Sequence, residues 1–370
     1  MQAGQPLLIL GNSVRYLAQS AARHGHRVTG LDLFADRDAV AACQRMVRSG
    51  RRDAAGLVKV ALDLDMPAET GWIYGAGFEA APAQLHLLES LGPCLGNGPR
   101  TLELLSSPEQ FFGLLDEQGI SYPPVSFQRL QDPRGWLIKS AAGFGGLAVR
   151  DAVTGGPVDD RTDYYQRRLD GQVCSLTFLA NGRDLEVLGI NRLHAVDGNQ
   201  GDYRFSTALS GFNPGQRPAQ QMVEMAGKLT RALQLRGANS IDCLLDGDQL
   251  FLLELNARPP ATLELYEEAL PQGGAAAHIA ACRGELLSPV GDRRVRGYRI
   301  CYAERELVIG QFTWPVWCSD LPATGSRCEQ GSPICGVHAD GATAAQVERL
   351  LQERIEEIKL LIELSGQEAA

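Results

Sequence analysis

Lys139 closes the apolar run Trp136-Leu137-Ile138-Lys139 and is followed by Ser140-Ala141-Ala142-Gly143-Phe144-Gly145-Gly146 and a second apolar run, Leu147-Ala148-Val149. A lysine at the end of an apolar strand is costly to desolvate unless it faces an anion, and glycine N–H groups beside it can approach phosphate oxygens closely. The pattern predicts a hairpin with a glycine loop suited to a polyphosphate. Taken alone, it also fits an edge lysine beside a flexible turn.

A second constellation is Asn239-Ser240-Ile241-Asp242-Cys243-Leu244-Leu245, a turn at Asp246-Gly247-Asp248, then Leu250-Phe251-Leu252-Leu253-Glu254-Leu255-Asn256-Ala257-Arg258. Two strands joined by a tight turn put Asp242 and Glu254 at about the same level of a sheet. Period-two alternation places Glu254 and Asn256 on one face. Buried carboxylate and amide groups cost free energy unless paired or metal-bound, and a few hard oxygen ligands completed by phosphate oxygens describe a magnesium–nucleotide site. Arg258, two residues further on, would neutralise charge on a transferring phosphoryl group if the strand continues that far; Pro259-Pro260 limits it.

These residues need elements to hold them. Residues 7–34 read as strand, helix, strand, the opening of a doubly wound α/β unit. The turn after the first strand, Gly11-Asn12-Ser13-Val14-Arg15, lacks the G-x-G-x-x-G of a dinucleotide site, although Asp32 stands where a ribose-binding acid belongs. Gly71-Trp72-Ile73-Tyr74 predicts another strand, running into the glycines of Gly75-Ala76-Gly77-Phe78-Glu79. The pattern breaks at Gly96-Asn97-Gly98-Pro99, and a helix begins after Ser106 or Ser107. From 136 to about 256 strands alternate with one clear helix, Pro218 to Leu233; after about 287 come short strands and an amphipathic helix, Ala344 to Leu364. The expected units are 1–105, 106–286 and 287–370.

With 370 residues, 44% of them hydrophobic and 21% charged, the chain is long enough for two or three cores. Its formal charge of −9, without basic stripes, argues against general affinity for nucleic acid or anionic membrane, and no apolar run is long enough to span a bilayer. A cytoplasmic location and small-molecule substrates are expected; a homodimer is left open. Nine scattered cysteines with no C-x-x-C pair fit reduced thiols, although Cys301, Cys318, Cys328 and Cys335 crowd together. His194 and His278 read as packed or surface histidines.

Residues 106 to about 285 resemble the ATP-grasp superfamily. The strand Leu252 to Arg258 is similar to its metal-binding strand, with Asp242 in the place of the preceding acid, Lys139 in that of a phosphate-binding lysine, and Gly143, Gly145 and Gly146 in that of its glycine loop. Tyr165-Gln166-Arg167-Arg168-Leu169-Asp170-Gly171 resembles the interlobe hinge, which implies Gln166 and Leu169 as adenine contacts. Two features depart from the family pattern. The helix at Ser107-Pro108-Glu109-Gln110-Phe111-Phe112 has no second phosphate-binding lysine, and Val173 stands where many members place a ribose-binding acid. The whole chain, through Tyr74 to Glu79, Asp320 to Gly325 and Gly331 to Cys335, is similar to ATP-dependent ligases distantly related to biotin carboxylase, some of them associated with tetrahydromethanopterin- or methanofuran-type one-carbon metabolism.

The resemblance implies a mixed α/β and α+β fold: a Rossmann-like pre-ATP-grasp domain, an ATP-grasp domain of two α+β lobes, and a small β-rich C-terminal region ending in a helix. It implies ATP as co-substrate and Mg2+ or Mn2+ as cofactor, held by Asp242, Glu254 and Asn256, with Lys139 and Arg258 as catalytic residues. The implied activity is a carboxylate–amine ligase acting through an acyl phosphate. A carboxylase working through carboxyphosphate and a non-catalytic nucleotide-binding protein are its rivals. Glu79, Arg258 and Tyr266 are the candidate substrate contacts.

Overall fold

A computed structural model describes residues 4–367 except 52, 69, 142, 144, 160–161, 198–200 and 292–293, so Ala142 and Phe144 of the glycine loop lie outside the described residues. The run Leu7-Leu8-Ile9-Leu10 has no exposed surface, as expected of a central parallel strand covered on both faces. Its sheet orders the strands Arg45–Arg48, Arg27–Asp32, Pro6–Leu10 and Gly71–Tyr74, all parallel. Leu7 and Ile9 face helix Arg15–Arg23, whereas Leu8 and Leu10 face helix Ala54–Leu62 and the 3-10 helix Pro82–Ser90.

Asp32 has a structural role. It is fully buried and accepts hydrogen bonds from the backbone N–H groups of Val14, Phe34 and Ala35 at 3.1, 3.0 and 2.7 Å. The carboxylate thus pins the first turn to the loop after its own strand, which leaves it unavailable to a ribose.

A small antiparallel sheet follows, ordered Val125–Ser126, Asp163–Arg167, Trp136–Ser140, Arg150–Asp151. The hairpin after Lys139 differs from expectation in its return strand. Gly145 and Gly146 take φ of 58° and 75°, the chain turns through Ala148, and pairing resumes only at Arg150, opposite Ile138. Leu147 to Val149 are therefore loop, because two consecutive left-handed glycines turn the backbone away from the extended path.

Among the described residues the large sheet has eight strands, ordered Gln249–Asn256, Arg236–Asp246, Gln172–Asn181, Leu185–Asp197, Asp202–Leu209, Val295–Tyr302, Pro333–Gly341 and Cys318–Ser319. Along Gln172–Asn181, Cys174, Leu176 and Phe178 turn to helix Gln216–Leu233, whose Met222, Ala226 and Leu229 are fully buried. On the other face, Leu179 meets helix Gly273–Cys282. The C-terminal strands continue this sheet, and helix Ala344–Gln367 covers them with Val347, Leu351, Ile355, Ile358 and Ile362 at helical spacing.

Helix Gly273–Cys282 explains the Gly-Gly-Ala-Ala-Ala run. A Cβ on Gly274 would stand 2.0 Å from the Tyr16 hydroxyl, which donates to Glu267 at 2.9 Å, so the bare backbone leaves room for that tyrosine. The N-terminal unit and the large sheet consequently share one core, containing Leu17, Ala18, Ala21, Ala238, Ala275 and Ile279.

Candidate active site

A cleft of about 1690 Å³ opens where the parallel sheet, the small sheet and the large sheet meet. Its volume exceeds the range of about 300–1,000 Å³ usual for one small ligand, so it has room for a nucleotide and a second substrate. Lys139, Gly145, Gly146, Gln166, Leu169, Asp242, Glu254, Asn256 and Arg258 all line it, whereas Gly143 lines a smaller neighbouring pocket shared with Lys139 and Glu254.

The acidic pair is set by strand register. Asp242 is directly opposite Glu254, with a bulge immediately after Asp242. Burial and the neighbouring Glu254 push the Asp242 carboxyl up to about 8, and burial raises Glu254 as well. Two carboxylates sharing a poorly hydrated face favour a proton or a cation between them. Lys139, one strand of the small sheet away, is lowered by burial against the pull of Glu254 and Asp242. Among the described residues its ammonium makes no hydrogen bond or ion pair, which leaves a cation facing the cleft.

Asn256 lies between the acids and Arg258. Its amide nitrogen donates to Asp242 Oδ2 at 3.4 Å, and its Oδ1 accepts from Arg258 Nη2 at 3.0 Å. The strand ends at Asn256, yet Arg258 still reaches the cleft because Glu79 holds its Nε at 2.8 Å. Asn97 fixes this chain end: its Nδ2 donates to the Ala257 carbonyl at 2.9 Å and to Asn239 Oδ1 at 2.7 Å. Tyr74, from the parallel sheet, donates to the same Ala257 carbonyl at 3.2 Å.

The donor set fits a hard divalent cation completed by substrate oxygens. No group of three or more His, Cys, Asp or Glu able to hold a metal occurs among the described residues. Two carboxylates, an amide and phosphate oxygens are nevertheless the kind of ligand set magnesium takes.

Gln166 pairs with both Leu137 and Val125 in the small sheet, is 2% exposed, and leaves its Nε2 without a hydrogen-bond partner. A buried amide donor of this kind costs about 1–3 kcal/mol unless a ligand meets it. Leu137, Val149, Val173, Leu244 and Leu253 line the cleft on this side, so the polar edge faces an apolar slot. A flat heteroaromatic ring satisfies both. The glycine loop is docked by Gly145, whose carbonyl accepts from Phe205 N–H at 2.9 Å.

Tyr266 is not part of the cleft lining. It is buried, and its hydroxyl donates to Asn191 Oδ1 at 2.6 Å within a polar network that includes Ser175 and Thr177. His278 is fully buried: Nδ1 accepts from Ala238 N–H at 2.8 Å, and Nε2 therefore donates to the Leu95 carbonyl at 2.8 Å.

Arg15 and its partners were not evident in the sequence. This arginine is 3% exposed, grips Glu264 with two nitrogens and bonds Asp320 at 2.8 Å, all at the cleft wall. The available signal was a charged residue opening an otherwise packed helix, but its partners lie 249 and 305 residues away.

Residues 110–262 match the model of the ATP-grasp domain family. An uncharacterised protein of Methanocaldococcus jannaschii is 20% identical over 260 residues, covering 66% of this chain and 63% of that protein, so the chain spans less than two thirds of its curated relative. Among solved structures, the ADP complex of Staphylococcus aureus N5-carboxyaminoimidazole synthetase is 15% identical, with a TM-score of 0.70 over 96% of this chain and 98% of that one. The biotin carboxylase domain of Hydrogenobacter thermophilus 2-oxoglutarate carboxylase, with MgADP and bicarbonate, is 14% identical, with a TM-score of 0.70 over 92% and 87%. The L-amino acid ligase of Bacillus licheniformis is 15% identical, with a TM-score of 0.67 over 96% and 98%. The chain thus shares the fold of these enzymes, and its residues 110–262 are similar to the ATP-grasp domain family.

Proposed function

We propose that the protein is an ADP-forming ligase joining a carboxylate to an amine, with residues 106–286 as its catalytic unit. The supporting observation is the placement of Lys139, without a hydrogen-bond or ion-pair partner among the described residues, near the register-paired Asp242 and Glu254 in a cleft large enough for two ligands. The buried donor of Gln166 beside an apolar slot suits adenine, and Lys139 with the glycine loop suits the phosphates.

A substrate carboxylate oxygen attacks the γ-phosphorus, the bond to the ADP oxygen breaks, and an acyl phosphate forms. An amine then attacks the acyl carbon, phosphate leaves, and the amine proton passes to solvent. Asp242 and Glu254, with Asn256 beside them, would hold a magnesium ion, which when bound would neutralise charge on the phosphate oxygens. Lys139 and Arg258 stabilise the charge that develops on transfer, and catalysis rests on positioning and electrostatics rather than a protein nucleophile.

A carboxylase reading, with bicarbonate as the acid, draws support from the fold shared with the synthetase and the biotin carboxylase domain. The one-carbon association of some of the ligases that the sequence resembles makes precursors of one-carbon carriers the first acids to try.

The test is magnesium-dependent ADP release from ATP across amino acids, bicarbonate and one-carbon-carrier precursors, comparing wild type with Glu254→Gln and Lys139→Ala. Acceptor-stimulated ADP release falling about 100-fold in both variants, roughly 2.7 kcal/mol of barrier, is expected. Glu254→Gln relieves the crowding that raises Asp242 but removes a counter-charge of the buried Lys139, so the two effects oppose each other and its melting temperature should move by no more than a few degrees. ATP binding without turnover on any acceptor would point to a binding protein, and AMP as the product would exclude the acyl phosphate.

A further inference from the structure

We propose that the second substrate carries a cationic amine and that Asp36 receives it. The proposal deepens the ligase reading and rests on it for the identity of the cleft. Asp36 precedes helix Arg37–Ala42 at the position where an aspartate ordinarily accepts a backbone N–H, yet its side chain makes no such bond. It is only 9% exposed, lines the cleft, and has no hydrogen-bond or ion-pair partner among the described residues.

The surrounding acids are all engaged. Asp32 accepts three backbone N–H groups, and Asp38 accepts those of Asp320 and Leu321, both at 2.9 Å. Asp320 and Glu264 share Arg15, with His338 Nε2 also 3.8 Å from Glu264. Asp38, Asp320 and Glu264 thus lie within ion-pair distance of the one Arg15 guanidinium, Asp32 is held by backbone N–H groups, and among the described residues of this cluster the side chain of Asp36 alone, at the cleft lining, accepts no hydrogen bond. Burial together with Asp320, Asp32 and Asp38 pushes Asp36 up to about 8. Arg48 and Arg327 line the cleft as exposed side chains, and Arg48 is turned to the Leu33 carbonyl at 3.1 Å. Cys328 also lines the cleft, its thiol raised by burial and then by the Asp36 charge.

The unmet need is for positive charge. A divalent metal would draw on carboxylate oxygens beside those of Asp36, and those of Asp32, Asp38, Asp320 and Glu264 already accept N–H groups. An alkylammonium needs only one good carboxylate and room for an apolar stem. The class of ligand is therefore an amine charged at neutral pH, such as a diamine or a basic amino acid.

Calorimetric titration of the MgADP-bound protein with putrescine, against uncharged 1,4-butanediol, tests this in wild type and Asp36→Asn, with MgADP binding reporting that the variant is folded. Putrescine should bind wild type, butanediol should not, and the variant should weaken putrescine at least 10-fold. Equal binding of putrescine by both proteins, equal binding of both probes, or no putrescine binding at all would overturn the inference. ADP release is then measured with putrescine and L-ornithine. Putrescine binding lost in Asp36→Asn without ADP release on any acceptor would uphold the cationic subsite and sink the ligase reading. Acceptor-driven ADP release with the same KM in both proteins would do the reverse.

Discussion

Arg258 and Glu79 show how this site is assembled from single contacts. Arg258 follows the end of its strand, and Glu79 Oε1 holds its Nε while Glu79 Oε2 accepts the Gly77 N–H at 2.7 Å. One carboxylate therefore fixes both the guanidinium and the loop that faces it. Glu79→Gln keeps the shape and removes the charge, loosening Arg258 without deleting it. The expected outcome is a fall in kcat of about 10-fold, near 1.4 kcal/mol, with the KM for ATP within 2-fold. Steady-state kinetics on the stimulating acceptor checks it; an unchanged kcat would mean that Asn256 alone positions the arginine. The tight turn made Asp242 and Glu254 legible as residues at about the same level, but the bulge after Asp242, which puts Glu254 rather than Leu253 directly opposite it, left no mark in the sequence. The Arg15 cluster was not, because ion pairs spanning 249 and 305 residues leave no local pattern.

Among elements, the glycine loop is the most constrained. A Cβ on Gly146 would stand 1.9 Å from the Tyr203 carbonyl oxygen, and φ there is 75°, so neither space nor backbone admits a side chain. Gly146→Ala should lift the loop from strand Asp202–Leu209 and raise the KM for ATP about 10-fold or more, while the global melting temperature moves by no more than a few degrees. ATP titration and a thermal melt on the same preparation check it, and an unchanged KM would separate the loop from the nucleotide. The strands and helices around the site could be read from periodicity, since Leu7 to Leu10, Gly71 to Tyr74 and helix Gln216–Leu233 each bury the faces their patterns mark. Sheet membership could not be read this way. Val295–Tyr302 adds to the large sheet through pairs such as Thr207 with Arg299, and a strand's own sequence does not name a neighbour so distant in the chain.

At the scale of the whole molecule, His278 joins three regions: helix Gly273–Cys282, the strand holding Ala238, and Leu95 before the ATP-grasp domain. Burial pushes its imidazole down to about 4. The unfolded chain binds this proton near pH 6.5 and the folded chain only near pH 4, so the unfolded state holds more protons between those values. Stability therefore falls as the pH drops through that window, by about 3 kcal/mol at its lower end. His278→Gln should be less stable than wild type at pH 7, with the gap narrowing toward pH 4. Urea midpoints at pH 7, 5.5 and 4 check this, and a gap independent of pH would remove the imidazole from the account.

The shared core also bears on how the chain is made. Helix Arg15–Arg23 is covered by helix Gly273–Cys282, and the hydrogen bond from Ala275 N–H to the Ser20 hydroxyl spans 255 residues. At roughly 5–20 residues per second, the ribosome delivers that cover about 13–50 s after the helix it protects. Through that interval the nascent chain presents the faces of Leu17, Ala18 and Ala21 without their partner. Completion of the N-terminal unit is thus tied to the synthesis of the segment that carries helix Gly273–Cys282.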